Sequence, residues 1–274
     1  MLKLIVCIKQ VPMVSELNWD PRTGTLKRDL AEGMMNPACH HALEAALRLK
    51  DLHGGHITAI TMGPPMAEEV LREAMAIGAD RCILLTDKRL AGADTFMTSF
   101  ILARAIEKEC SNFDIILCGC HTSDSETAQV GPQLAEELKI PGAAYVEWLE
   151  LKENILRMKR LSDNFLETME MDLPGLVTVT TSHYQPRYVP LSGIQDAYDK
   201  CDIITLDADD LKLNIIGTKD SPTRILKVYS PCSEKKNIEM KGPAKKIAEE
   251  LLDKFGRKIG GAIKKDLKAY EQEK

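Results

Sequence analysis

Small, polar, glycine-containing runs recur wherever an apolar stretch of this chain gives way to a helical one. The longest is Gly119-Cys120-His121-Thr122-Ser123-Asp124-Ser125-Glu126-Thr127-Ala128-Gln129-Val130-Gly131-Pro132. The others are Lys9-Gln10-Val11-Pro12 (which leads through a long excursion to Asn36-Pro37-Ala38-Cys39), Thr61-Met62-Gly63-Pro64-Pro65 and Ala91-Gly92-Ala93-Asp94-Thr95. Gly63, Gly92, Gly119 and Gly131 are expected to let backbone approach a ligand closely. Thr122, Ser123, Ser125 and Thr127 add hydroxyl donors just ahead of a helix. Free N–H groups, hydroxyls and a helix dipole, with little positive charge, suit a diphosphate. Neither G-x-G-x-x-G nor G-x-x-x-x-G-K-S/T is present, so both common phosphate fingerprints are absent. An adenine-nucleotide site and a set of helix-capping loops with no ligand both fit the pattern.

Acid–base machinery is scarce. There is no G-x-S-x-G elbow and no H-E-x-x-H pair. His40 and His41 are adjacent, which on a helix splays them about 100° apart. Asp124 and Glu126 read as hydrogen-bonding or capping groups, with metal binding or base chemistry as the alternative. No residue is assigned a catalytic role. The eight cysteines include no C-x-x-C. Cys118-Gly119-Cys120-His121 together with Cys39-His40-His41 is the one set that would offer four metal ligands. The other reading is buried thiols at strand ends, and no metal is expected. A nucleotide site without catalytic groups points to a carrier or binding module.

The elements that position these loops follow from periodicity. Leu2–Ile8, His56–Met62, Cys82–Leu85 and Phe113–Cys118 read as buried strands. His41–Leu52, Met66–Ile77, Asp94–Cys110 (capped by Asp94 or Thr95) and Thr127–Leu138 read as the helices between them. This β-α alternation predicts an α/β fold: a Rossmann-like, mostly parallel sheet with helices on both faces. From Ala143 the pattern becomes that of an antiparallel meander (Tyr145–Leu151, Ile155–Leu161, Phe165–Leu173, then Leu176–Thr181). The expected organisation is a nucleotide-binding domain with meander over 1–188, a partner-recognition loop and irregular connection over 189–240, and an amphipathic arm over 241–274. The arm holds ten Lys/Arg against six Asp/Glu. Ile247, Leu251, Leu252 and Phe255 share one helical face, which Gly256, Gly260 and Gly261 interrupt. It reads either as a helix packed on its own domain or as an arm embracing a partner subunit.

Across 274 residues, 36 Lys/Arg stand against 41 Asp/Glu, a formal charge of −5. That balance disfavours nucleic acid. No run reaches the roughly 18 apolar residues of a membrane span. The first nine residues read as a strand rather than a signal peptide, which gives a cytoplasmic expectation.

Four motifs in order carry a family resemblance. They are Asn36 through Lys50, Met62-Gly63-Pro64 with Leu71 through Arg81, Asp124 through Pro132, and Pro186-Arg187-Tyr188. Over about Leu2 to Thr223 the chain resembles the small (beta) subunit of electron-transfer flavoproteins. The resemblance implies a Rossmann-like domain that pairs with a larger alpha subunit carrying FAD. It also implies an adenine nucleotide bound by Cys7, Asn36, Pro37, Ala38, Cys39, Met62 and the run from Gly119 to Val130. Housekeeping members hold AMP there. In the electron-bifurcating branch a second FAD, reduced by NADH, takes that place. Gly92, Asp94, Thr95 and Thr98, with Gly217 through Thr223, look like the bifurcating branch and are expected to form a small polar floor for the flavin. Leu191 through Tyr198 matches the family's dehydrogenase-recognition loop, with Leu191 and Ile194 as apolar anchors.

His40, Cys39, His121 and Ser125 depart from the family pattern. Where housekeeping members carry a lysine run, this chain has Asp196, Asp199, Lys200, Cys201 and Asp202. The expected function is electron transfer from NADH through FAD to the alpha-subunit FAD. From there the electrons are expected to pass to a partner, a flavin-dependent, acyl-CoA-type dehydrogenase or a low-potential carrier such as ferredoxin or flavodoxin. Two alternatives stand beside it: an AMP-bound structural subunit, and a nucleotide-hydrolysing or sensing α/β module. Against the last, no Ser-Gly-Gly phosphate loop follows the first strand.

Overall fold

The computed structural model describes residues 1–13, 33–163, 165–199, 202–214, 217–223 and 238–272, with side chains left aside at 218 and from 262 onward. Most of the excursion after Pro12, Lys200, Cys201 and the segment 224–237 lie outside the described residues. The chain divides into two units, Met1–Val228 and Tyr229–Lys274.

In the first unit, β1 (Leu2–Cys7) is followed by a small antiparallel pair, β2 (Gln10–Pro12) and β3 (Gly33–Met35). Then come α1 (Pro37–His53), β4 (Gly55–Met62), α2 (Glu68–Ile77), β5 (Arg81–Leu85), α3 (Thr95–Glu109), β6 (Ile115–Gly119) and α4 (Val130–Glu137). The chain continues through β7 (Gly142–Lys152), β8 (Ile155–Ser162), β9 (Phe165–Asp172), β10 (Gly175–Val179), α5 (Leu191–Asp199), β11 (Ile203–Leu206) and α6 (Gly217–Asp220). Nine strands form one sheet in the order β11-β5-β4-β1-β6-β10-β7-β8-β9. All neighbours from β11 to β7 pair in parallel, and β8 and β9 add an antiparallel edge. This is the expected mostly parallel α/β sheet.

The apolar runs explain the layering. Leu4 and Val6 of β1 point into a core shared with α1 and α2, while Ile5 and Cys7 point into a second core shared with α3 and α4. A strand covered on both faces has to be apolar along its covered length, as β1 is from Leu4 to Cys7, with Lys3 exposed at its start.

Four local expectations change. Helix α1 starts four residues earlier than His41, because Pro37 has no N–H to lose in a first turn. Helix α4 starts three residues later than Thr127, because Glu126 and Ala128 hold left-handed φ values of 51° and 55°. The strand after the meander is not part of it: β10 slots between β6 and β7, parallel to both. The stretch 189–223, read as irregular, contributes α5 and the sheet-edge strand β11, and buries Ala197, Leu206, Ala208, Leu211 and Leu213. The β-branched run Ile203-Ile204-Thr205 suits a strand, but it is too short to announce its partner.

In the second unit, α7 (Ala244–Gln272) runs unbroken through Gly256, Gly260 and Gly261. Each glycine costs about 1 kcal/mol relative to alanine in a helix. Propagation through the flanking Ala, Leu, Lys and Glu sustains it. Leu251 and Leu252 are exposed on this helix.

Candidate functional site

The strand order reverses beside β1. From β1 the chain builds outward through β4 and β5, then returns to place β6 on the other side. The carboxyl ends of β1 and β6 therefore flank the topological switch point, where open α/β sheets bind ligands. Cys7 and Cys118 face each other there in register. The N-terminus of α1 and the run from Gly119 to Val130 meet above them.

Asn36 joins these parts. It is 1% exposed. Its Nδ2 donates to the His121 carbonyl at 2.9 Å and to Cys39 Sγ at 3.4 Å, and its Oδ1 accepts from the Ser123 N–H at 3.0 Å. Its own N–H donates to the Lys9 carbonyl at 2.9 Å. Asn36 thus acts as a clamp between the exit of β1 and the loop after β6. Lys9 adds a second tie, its Nζ 2.8 Å from both carboxylate oxygens of Asp124. Within the loop, the Glu126 N–H donates to the Thr122 carbonyl at 2.9 Å, and Thr122 Oγ1 lies 2.9 Å from Ser125 Oγ.

The loop's donors are arranged for an anion. Among the described residues nothing accepts from the N–H groups of Thr127, Ala128, Val130 and Gly131. The last two open α4, whose dipole adds partial positive charge. Left-handed backbone at Glu126 and Ala128 turns this segment away from the helical path, and such conformations in non-glycine residues cluster at binding sites. The donor set fits the phosphate of a nucleotide.

The glycines serve the protein itself. A Cβ on Gly119 would stand 2.8 Å from the Ala38 carbonyl carbon and 2.9 Å from the Cys39 nitrogen, so this glycine lets β6 meet the start of α1. A side chain on Gly131 would strike Thr178 of β10 at 2.5 Å, and one on Gly63 would strike Ala67 at 2.9 Å. At these three positions neighbouring protein atoms fill the space a Cβ would take, so each glycine serves packing within the protein. Gly92, with φ 77°, makes a turn.

The remaining expected residues sort by strand. Met62 ends β4, beside β1. Asp94 caps α3: Oδ1 accepts from the Met97 N–H at 2.9 Å, and Oδ2 accepts from the Thr223 N–H and Oγ1 at 2.9 and 2.7 Å. Its N–H donates to Ser221 Oγ at 2.9 Å. Burial pushes this carboxyl up, but the hydrogen bonds from Met97 and Thr223 outweigh it and hold the group below its ordinary value. Thr95 Oγ1 donates to Gln129 Oε1 at 3.0 Å, which ties the start of α3 to the loop before α4. Thr98 lies in the first turn of α3, its N–H on the Asp94 carbonyl. All these residues lie at or beyond the carboxyl ends of the parallel strands, although Asp94 faces the 217–223 segment and Asn36 faces the loop.

Cys7, Cys39, Cys118 and Cys120 are buried packing groups. Hydrogen bonding to Cys7 and then burial push Cys118 well up. Burial raises Cys39, and burial likewise raises Cys120, whose Sγ lies 3.0 Å from His121 Nδ1. Among the described residues, no three His, Cys, Asp or Glu side chains converge as a metal site. His40 sits 3.6 Å from Glu73 of α2.

Leu191 and Ile194 begin α5, which packs on α2 where Gly193 rests against the Ala76 carbonyl. Arg72 donates to the Ala197 carbonyl at 2.7 Å, and Tyr198 Oη donates to Glu69 at 2.6 Å. Leu191 is left 84% exposed, beside Tyr188 at 98%. No described helix is long and apolar enough to cross a membrane. What the sequence did not show was the long-range pairing of these residues: Lys9 with Asp124, Ser221 and Thr223 with Asp94, and Glu44 with Arg187. No local pattern marks them.

Residues 23–211 match the family described as electron transfer flavoprotein domain. The chain is 40% identical over 256 residues to the electron transfer flavoprotein subunit beta of Thermoanaerobacterium thermosaccharolyticum, covering 93% of this chain and 98% of the relative. It is 39% identical over 265 residues to the acryloyl-CoA reductase electron transfer subunit gamma of Anaerotignum propionicum, covering 94% and 99%. It is 37% identical over 270 residues to the caffeyl-CoA reductase-Etf complex subunit CarD of Acetobacterium woodii, covering 97% and 98%.

Proposed function

The chain belongs to the electron transfer flavoprotein family, and from that premise we propose that it is the beta subunit of a two-subunit electron carrier with an FAD at the β1–β6 crevice. The observation that carries this reading is the donor set at the switch point. The N–H groups of Thr127, Ala128, Val130 and Gly131 have no acceptor among the described residues, and the hydroxyls of Thr122, Ser125 and Thr127 accompany them. Asn36 and Lys9 hold the loop in place around that donor set. Cys7, Ala38, Cys39 and Met62 would form the apolar end of the site, where an adenosine would lie. When bound, FAD would supply the redox chemistry, with NADH as the donor and an alpha-subunit FAD as the next acceptor. The Gly92-to-Thr98 segment, Ser221 and Thr223 would bound the space beyond the adenosine.

The partner surface is the start of α5. Exposed Leu191 and Tyr188, with Ile194 behind them, present an apolar patch suited to a pocket on a partner protein. Relatives named for acryloyl-CoA and caffeyl-CoA reductases support an acyl-CoA-type dehydrogenase as that partner. A ferredoxin or flavodoxin would take the low-potential electron. Helix α7 is proposed as the arm that engages the alpha subunit.

Nucleotide extraction from the chain co-expressed with its alpha subunit tests the reading. Two FAD and no AMP per heterodimer is the expected result. One FAD with one AMP would replace the flavin at this site by a structural nucleotide, and no nucleotide on this chain would overturn the site.

A further inference from the structure

The loop assigned to the phosphate is acidic. From Gly119 to Val130 it carries Asp124 and Glu126 and no lysine or arginine. An anion seated on the N–H groups of Thr127 to Gly131 would meet a carboxylate a few residues away, and like charges at that range repel. The counter-charge comes from the far end of the sequence. Lys9, two residues beyond β1, sets its Nζ 2.8 Å from both oxygens of Asp124, 115 residues away. Asp124 is only 15% exposed at its side chain and Lys9 40%. The Lys9 carbonyl accepts from the N–H of Asn36, the residue that clamps the same loop. Lys9 is thus fixed at its backbone carbonyl by Asn36 and at its ammonium by the Asp124 carboxylate.

We propose that Lys9 is a positioning residue of the nucleotide site, which neutralises Asp124 so that the loop admits a phosphorylated adenine ligand. The inference rests on the nucleotide reading above and adds to it a residue that acts through charge. Its effect is specific to the phosphate. A neutral nucleoside gains nothing from the pair, whereas a phosphate dianion is admitted only when Asp124 is compensated.

The test uses the heterodimer, stripped of adenine nucleotide, with adenosine and AMP as probes by calorimetric titration. Lys9→Met is expected to weaken AMP by about tenfold or more and to leave adenosine within about twofold. The double variant Lys9→Met with Asp124→Asn is expected to regain AMP binding to within about threefold of wild type, since the repulsive charge is gone. Equal losses of adenosine and AMP in Lys9→Met would mean a merely structural tie and would overturn the inference. Unchanged AMP binding would overturn it too. A double variant as weak as Lys9→Met would assign Lys9 to direct phosphate contact and overturn the compensating role. Failure of the wild type to bind either probe would refute the nucleotide reading itself, and this inference with it.

Discussion

Replacing Asn36 tests whether the site is built by a clamp. The side chain is 1% exposed and satisfies two backbone groups of the loop, the His121 carbonyl at 2.9 Å and the Ser123 N–H at 3.0 Å. Asn36→Ala leaves both without a partner. Each orphaned buried group costs about 1–3 kcal/mol, and water reaching the half-buried loop trims the sum, so a loss of about 2–4 kcal/mol is expected. Asn36→Asp is more informative. It keeps an acceptor for Ser123 but sets a second carboxylate oxygen against the His121 carbonyl. Ionisation is then disfavoured, so the introduced carboxyl has a folded-state pKa above its ordinary value of about 3.9. The folded state binds that proton more tightly than the unfolded one. The destabilisation is therefore full above the raised pKa and shrinks as pH falls through it. Urea unfolding at pH 8 and pH 5, with amide exchange over residues 121–126, reads both effects. An Asn36→Ala loss under about 0.5 kcal/mol with unchanged loop exchange would refute the clamp, since the loss of two part-buried hydrogen bonds should cost more than that. An Asn36→Asp deficit that grew at pH 5 would refute the electrostatic reasoning.

Glu44 is 5% exposed and pairs with Arg187 at 2.8 Å and Arg48 at 3.0 Å. Removing it as Glu44→Ala takes one carboxylate from Arg48 and from Arg187, which keeps Asp51 at 2.8 Å, and should cost about 1–2 kcal/mol in urea unfolding. Burial pushes the Glu44 carboxyl up, but the bonds from Arg187 and Arg48 prevail and leave it below the ordinary 4.5. Its contribution is therefore present above that value and lost as pH falls through the lowered folded-state pKa, so the Glu44→Ala penalty should shrink in acid titrations. Gly119→Ala drives a methyl to 2.8 Å from Ala38, and a loss of about 1–3 kcal/mol in thermal or urea unfolding is expected. Leu191→Arg, on an 84% exposed side chain, should leave stability within about 0.5 kcal/mol. The same change should weaken docking to an acyl-CoA-type dehydrogenase by about 2 kcal/mol or more, read by surface plasmon resonance.

The parallel sheet was legible because its strands are apolar on both faces and its helices repeat at 3.6 residues. The buried β1 and the cap at Asp94 needed no tertiary knowledge. The start of α4 was misread because Glu126 and Ala128 are ordinary residues, and only the surrounding contacts hold them left-handed. The place of β10 was hidden for a related reason. Its short run Gly175-Leu176-Val177-Thr178-Val179 pairs equally well with any edge, and a meander was the nearest partner in sequence.

The candidate site divides the same way. Local sequence determined which loops are polar, small and placed at the carboxyl ends of strands, because turn chemistry and capping depend on near neighbours. Tertiary structure alone decided that the β1 and β6 junctions form one crevice, since the reversal of strand order is a property of the whole sheet. It also decided the roles within the crevice. Asn36 was expected beside a ligand and clamps the loop. Gly119 was expected to clear space and closes a contact with α1. Lys9 and Asp124 neutralise each other across 115 residues. Charge and hydrogen-bond partners at that separation leave no periodic or compositional trace, because they are brought together only once the sheet is assembled.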